Sequence, residues 1–188
     1  MKERKFTTYQ IVFVAVMAAI VCVVTFFRFP LLGSKVHFAN AMCLLSGMLF
    51  GPLLGGLAAG FGSMLYDALF GGYDLINCLI TFVSKFLMAA ICAWIAFGGK
   101  AEGKAKHAKL AAGSVIGALS YVALYMLKTY VFQRFVHGYP LDAVLVTMAG
   151  KLPASLINAV FAMIAAPILY AAIAPSLKRK GLLDKLRK

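Results

Sequence analysis

The sequence has few charged residues, and acidic residues are the scarcest among them. Only 13% of its 188 residues are charged, with 6 Asp and Glu against 19 Lys and Arg, whereas 63% are hydrophobic. A soluble domain usually has about 25% charged and roughly 45–50% apolar residues. The composition therefore excludes an ordinary soluble domain and is typical of an integral membrane protein.

The sequence also lacks the motifs of common enzyme classes. It has no His-Glu-x-x-His zinc motif, no Gly-x-Ser-x-Gly nucleophile motif and no phosphate-binding loop. The four cysteines stand singly in apolar runs without a Cys-x-x-Cys pair, so we interpret them as packing residues rather than metal ligands or disulfide partners. We therefore expect no catalytic activity, no metal site and no cofactor.

The excess of positive charge does not predict nucleic-acid binding. The net charge is +13, but the basic residues cluster in the N-terminal tail, in a loop at 98–109 and in the C-terminal tail at 175–188. Such clusters at the ends of apolar segments mark the cytoplasmic side of membrane proteins. The apolar run after the basic N-terminus is too long for a secretory signal peptide and lacks its cleavage site, so we expect no cleaved leader.

Apolar runs of membrane-spanning length predict an all-α integral membrane protein. A span needs about 20 apolar residues, and residues 1–188 are read as a single six-helix membrane domain. The predicted spans are residues 8–27, 38–50, 53–70, 75–97, 110–132 and 143–174.

The second and third spans are ambiguous, because 38–70 could also be one long kinked helix. Gly51-Pro52 interrupts the run, and proline cannot continue the helical hydrogen-bond ladder. With six spans all three basic clusters lie in the cytoplasm, whereas five spans would put two of them outside. The sequence therefore predicts six spans, cytoplasmic N and C termini, and outer loops at 28–40, 71–74 and 135–142.

Ionisable residues within the spans indicate a pocket. Charges at membrane depth cost about 2.5–3.5 kcal/mol on insertion scales, so they usually face the bundle interior or a wet cavity. Asp67 lies near the outer end of the third span, and polar residues share helix faces with lysines in the later spans. These faces are Asn77 with Lys85, Tyr125 with Lys128, and Lys151 with Asn158. We predict that they line one outward-facing pocket.

The lysines have an alternative, purely structural role. They could snorkel to the interface or pair with Asp67, Asp74 and Asp142, which are the acidic residues on the outer side. If they are instead available, they favour a ligand with a carboxylate, a phosphate or several carbonyl acceptors. Tyrosines such as Tyr73 and Tyr125 permit stacking on a flat heteroaromatic ring.

Two motifs of small residues stand out in the first three spans. The first is Ala15-Val16-Met17-Ala18-Ala19, and the second is the glycine-rich run GMLFGPLLGGLAAGFGSMLYD at 47–67. With the chain length, the short second span and the lysine in span four, they resemble the substrate-binding S components of energy-coupling factor (ECF) vitamin importers. The resemblance covers almost the whole chain and is greatest to the riboflavin, hydroxymethylpyrimidine and pyridoxine carriers.

The resemblance implies a function and partners. S components bind a water-soluble vitamin or precursor with high affinity at the outer face of the prokaryotic plasma membrane, under a lid formed by the first outer loop. A transmembrane coupling subunit and two ATPase subunits drive uptake. Ala15 and Ala19 are then expected to contact the coupling subunit. The expected substrate-binding residues are His37, Asn40, Asp67, Tyr73, Asn77, Lys85, Tyr125, Lys128, Lys151 and Asn158.

The sequence does not identify the ligand. A pyrimidine or pyridine compound is favoured by the subgroup and by stacking, while a flavin, a queuosine-type base and an acidic vitamin stay open. The competing function is that of a self-sufficient secondary carrier or channel for a small, anionic solute.

Overall fold

The computed structural model describes residues 6–31, 34–98 and 104–186. The basic residues of the N-terminal tail, together with Lys100, Arg187 and Lys188, which entered the topology argument, lie outside the described residues. In chain order the elements are α1 (Thr8–Thr25), β1 (Arg28–Leu31), β2 (Ser34–His37), α2 (Ala39–Tyr66), α3 (Leu75–Phe97), α4 (Lys104–Val131), α5 (Leu141–Arg179) and α6 (Leu182–Leu186). Single π-helical turns, Asp67–Gly71 and Phe132–Val136, follow α2 and α4.

Helices dominate the fold, as the apolar runs predict. Among the described residues, five helices are long and apolar enough to cross a membrane. The fourth predicted span, 75–97, coincides with α3, whereas α4 and α5 extend beyond the predicted ends at 110 and 174. The membrane fold is thus in agreement with the sequence, and the number of crossings and the side on which the termini lie stay predictions.

The second long helix is folded back on itself at Gly51-Pro52. Gly51 adopts φ 83° and ψ −176°, which breaks the helix. The Sγ of Cys43 and the Oγ of Ser63 then lie 3.8 Å apart, whereas an unbroken helix would separate these residues by about 30 Å. The segment therefore consists of two antiparallel halves, as the two-segment interpretation requires, and a single long kinked helix is ruled out.

Glycines allow α2 to occupy the centre of the bundle. A Cβ at Gly55 would lie 2.5 Å from the Cα of Gly47, on the other half of α2. A Cβ at Gly47 would lie 2.3 Å from the carbonyl oxygen of Ala89 in α3, and one at Gly62 would lie 2.4 Å from that of Ala18 in α1. Because small residues let backbones approach this closely, van der Waals contact can hold helices together in lipid.

The first outer loop contains a feature that the sequence interpretation missed. β1 and β2 pair as an antiparallel hairpin in which Arg28 is paired with His37 and Phe29 with Val36. The sequence predicts a loop at 28–40 and not these strands, while the predominantly helical fold class is confirmed. Pro30 lies in β1, where it can be tolerated because this two-stranded sheet has no interior strand.

We predict that a larger residue at Gly47, where α2 contacts α3, destabilises the protein. Gly47→Val places its Cβ against the Ala89 carbonyl, which belongs to backbone and cannot rotate away, so the cost should be about 3 kcal/mol. Ala112→Val is the matched control, because Ala112 is an exposed helical residue. Thermal unfolding in detergent should show a large decrease in melting temperature for Gly47→Val and a small decrease for Ala112→Val. Equal melting temperatures would contradict the contact.

Candidate ligand-binding pocket

A cavity of about 380 Å³ lies at the end of the bundle that carries the β1–β2 hairpin. Its walls come from the hairpin, the end of α2, the first half of α3, the second half of α4 and the middle of α5. Residue 98 and the start of α4 at Lys104 lie at the opposite end of these helices. The described residues that flank the lysine-rich loop are therefore separated from the cavity by the length of the bundle.

Lys85 is the most deeply buried charged residue of the cavity. Its side chain is only 3% exposed and donates a hydrogen bond to the Oδ1 of Asn40. Its Nζ also lies 3.6 Å from the centroid of the Tyr121 ring, a cation–π contact that gains strength when water is excluded. Tyr121 in turn stacks on Tyr125, with 6.3 Å between ring centroids. A cation and two aromatic faces therefore meet on one wall.

Cationic side chains far outnumber acidic ones around the cavity. They are Arg28, Lys35, Lys85, Lys128 and Lys151, and the single carboxylate is that of Asp67. Asp74 is hydrogen bonded to Asn77. Among the described side chains no Lys or Arg lies within ion-pair distance of an acidic residue. The structural pairing of lysines with acidic residues, left open by the sequence, is therefore absent from this part of the chain.

His37 contributes a neutral ring to the cavity. Its Nδ1 is buried and has no hydrogen-bond partner among the described residues. Burial, together with the positive charges of Lys85, Arg28 and Lys35, lowers the pKa of His37 to about 3. The imidazole is therefore uncharged throughout the physiological pH range, so it can donate or accept a hydrogen bond without adding to the positive charge.

Asn158 joins the hairpin to α5. Its Oδ1 accepts a hydrogen bond from the backbone N–H of His37, and its Nδ2 donates one to the backbone carbonyl of Lys35, both at 2.8 Å. Asn158 is itself buried. A side-chain amide engaged on both sides with β2 therefore ties the hairpin to α5 at the cavity wall.

The structure brings the residues proposed from sequence to one place. The cavity is lined by nine of them, namely His37, Asp67, Tyr73, Asn77, Lys85, Tyr125, Lys128, Lys151 and Asn158. Asn40 does not line it and lies behind Lys85, 1% exposed. The residues expected from the sequence did not include Arg28 and Lys35, which lie on the unpredicted hairpin. Tyr121 also lines the cavity, at the four-residue spacing from Tyr125 that places both rings on one face of α4.

Ala15 and Ala19 lie away from the cavity on α1. Both are exposed, as are Val12, Val16 and Ile20, which share this side of the helix. α1 faces the bundle with the buried Met17, Ala18 and Val21, and Ala18 lies next to Gly62. The two alanines therefore do not pack within the described bundle. They form an exposed strip of small side chains on an apolar surface of α1.

Three comparisons place the chain among known proteins. The family model described as "ECF-type riboflavin transporter, S component" matches residues 5–175. An uncharacterized protein from Pyrococcus woesei is 33% identical over 106 residues, which are 55% of this chain and 66% of that protein, slightly less than two thirds. The solved structure of the S component of a bacterial ECF transporter is similar, with a TM-score of 0.63, 22% identity, and coverage of 90% of this chain and 97% of that one. This last likeness shows the fold.

We predict that Asn158→Leu, which keeps the side-chain volume, releases the hairpin. Two neutral hydrogen bonds of about 0.5–1.5 kcal/mol each correspond to roughly 5- to 150-fold faster amide exchange at His37. Hydrogen exchange followed by mass spectrometry would measure this. The control is Ser155→Ala, also buried on the cavity wall, which should leave the hairpin protected. Unchanged exchange in the Leu variant would show that other contacts hold the hairpin.

Proposed function

The chain belongs to the family of ECF-type riboflavin transporter S components, and on this basis we propose that it is the high-affinity substrate-binding subunit of an ECF-type importer. Its location would be the plasma membrane of a prokaryote. The ligand would be a small water-soluble vitamin or vitamin precursor with a flat heteroaromatic ring.

The observation that carries this proposal is the wall formed by Lys85, Tyr121 and Tyr125. A ring can stack on a tyrosine face, and a desolvated lysine can donate a strong hydrogen bond to a ring carbonyl or hydroxyl. The cavity volume of about 380 Å³ falls within the range of roughly 300–1,000 Å³ of small-molecule sites. Pyrimidine and pyridine compounds, favoured by the sequence, and a flavin, indicated by the family model, all present such a ring.

The proposed orientation follows from the positions of the charges. The lysine-rich loop would lie in the cytoplasm, and the cavity, at the other end of the bundle, would open outward. The β1–β2 hairpin would serve as the lid, because it lines the cavity and is held by Asn158. This topology has six crossings, with each half of α2 counted as one and both termini in the cytoplasm.

The proposed partners are a transmembrane coupling subunit and two ATPases. The exposed strip of Ala15 and Ala19 would give a partner helix close access to the α1 backbone. The chain has no phosphate-binding loop of its own, so active uptake would depend on these partners. A secondary carrier or channel, the alternative function, would instead transport without them.

We predict that labelling with an impermeant thiol reagent follows this topology. In a cysteine-free background, His137→Cys should react in intact cells, whereas Lys104→Cys should react only after the cells are opened. Modification of Lys104→Cys in intact cells would overturn the orientation.

We predict that Ala15→Trp with Ala19→Trp abolishes uptake without weakening ligand binding. Two indole rings would hold the partner helix away from α1 but lie far from the cavity. Uptake should be measured in vesicles containing the coupling subunit and the ATPases, with and without ATP, and affinity by calorimetry on the isolated protein. Affinity should stay within a few-fold of the unmodified protein.

The control for the double variant is Ile164→Trp with Ile168→Trp. These residues have the same spacing and are exposed on α5, so uptake should continue. Normal uptake by the α1 variant would remove the two alanines from the partner contact. Uptake that needs neither ATP nor the partner subunits would instead favour the secondary carrier.

A further inference from the structure

We propose that the ligand carries an anionic group, either a phosphate ester or a carboxylate, and that Lys128 and Lys151 bind this group. The inference rests on the proposed function, since it names the chemical class of ligand for the same cavity. The observation behind it is the charge of the cavity wall, where five cationic side chains accompany the single carboxylate of Asp67.

The cavity lysines differ in burial and in interaction partners, and this indicates different roles in ligand binding. Lys85 already has two neutral partners, the Asn40 amide and the Tyr121 ring, and of its three N–H donors one remains for the ligand ring. Lys128 lies 5.8 Å from the centroid of the Phe132 ring. Neither Lys128 nor Lys151 has a hydrogen bond or an ion pair with any described residue. These two ammonium groups are therefore available to a ligand, whereas Lys85 is positioned for the ring.

Lys128 and Lys151 line the same cavity from different helices, α4 and α5. The charges of Asp67 and Asp74 act on Lys128 more strongly than the charge of Lys151 does. These carboxylates offset only part of the positive charge of the five cationic side chains on the wall, so the cavity keeps an excess of positive charge. A phosphate or carboxylate offsets this excess and accepts several hydrogen bonds from lysine.

The hairpin adds to the positive potential at the same cavity. Arg28 lies 5.0 Å from the centroid of the Tyr66 ring, and Lys35 is exposed and lines the cavity. A cavity lined by charges of one sign concentrates ligands of the opposite sign and speeds their entry. The neutral His37 ring does not oppose this effect.

The test compares ligands that differ only in the anionic group. The pairs are riboflavin with riboflavin 5′-phosphate, and pyridoxine with pyridoxine 5′-phosphate, with pyridoxine against 4-pyridoxic acid as the carboxylate arm. Calorimetry on the purified full chain should show at least about 10-fold tighter binding of the anionic member in one pair. This advantage should shrink as the salt concentration rises.

Variants of single lysines test which side chains bind the anionic group. Lys128→Met and Lys151→Met should each remove most of the preference for the anionic member while changing affinity for the neutral member less than about 3-fold. Lys128→Arg, which keeps the positive charge, should retain the preference for the anionic member. Lys109→Met is the control, because Lys109 donates to the Gly98 carbonyl at the other end of the bundle and should have no effect.

The two proposals fail in different ways. Equal or tighter binding of the neutral member in every pair that binds would overturn the anionic ligand and leave the vitamin-binding function intact. If no pair binds, mass spectrometry of the molecule retained through purification decides, since a neutral molecule overturns this inference and an anion supports it. Failure to bind or retain any such molecule would overturn the proposed function itself.

Discussion

The close approach of the α2 backbone to its neighbours is the constraint on which the bundle and its cavity depend. The two halves of α2 touch where Gly55 meets Gly47, and the Ser46 hydroxyl donates to the Gly55 carbonyl at 2.8 Å. This contact folds the segment back, so that its beginning and its end lie at the same end of the bundle. Asn40 therefore reaches Lys85 while Tyr66 and Asp67 reach the cavity. Larger residues at these glycines would separate the backbones and displace both walls.

The cavity differs from the rest of the bundle in how its polar groups are satisfied. Elsewhere, the buried Ser114 hydroxyl donates within its own helix to the Leu110 carbonyl, and the Ser46 hydroxyl donates within the folded-back α2. Lys85 instead depends on Asn40 from another segment, and Asn158 depends on a hairpin more than a hundred residues earlier in the chain. Polar groups in a low-dielectric environment are costly when unpaired. Partners drawn from distant segments therefore make the cavity wall sensitive to how the helices and the hairpin are arranged.

Helical periodicity predicted most of the candidate site, and long-range pairing defined the remainder. Lys85 and Asn77 fell on one face of α3 by spacing alone, and the break at Gly51 followed from proline and charge parity. The β1–β2 hairpin could not be predicted, because its strands have only four residues each and depend on an anchor in α5. For the same reason, the candidate site expected from the sequence did not include Arg28 and Lys35. Asn40, expected from the resemblance to bind the ligand, does not line the cavity and instead accepts a hydrogen bond from Lys85.

If the hairpin acts as the proposed lid, its charges would connect lid closure to the contents of the cavity. The two hydrogen bonds of Asn158 hold β2, and Arg28 and Lys35 lie at a wall that also carries three lysines. A closed lid would therefore have to overcome repulsion between like charges. An anion in the cavity would lower this repulsion, whereas a neutral ligand would leave it unchanged. If the anion binds better when the hairpin is closed, linkage requires that the hairpin closes more readily when the anion is bound. Asn158 would then favour the closed hairpin through its hydrogen bonds. The lysines of α4 and α5 would disfavour the closed hairpin through charge repulsion unless an anion is bound.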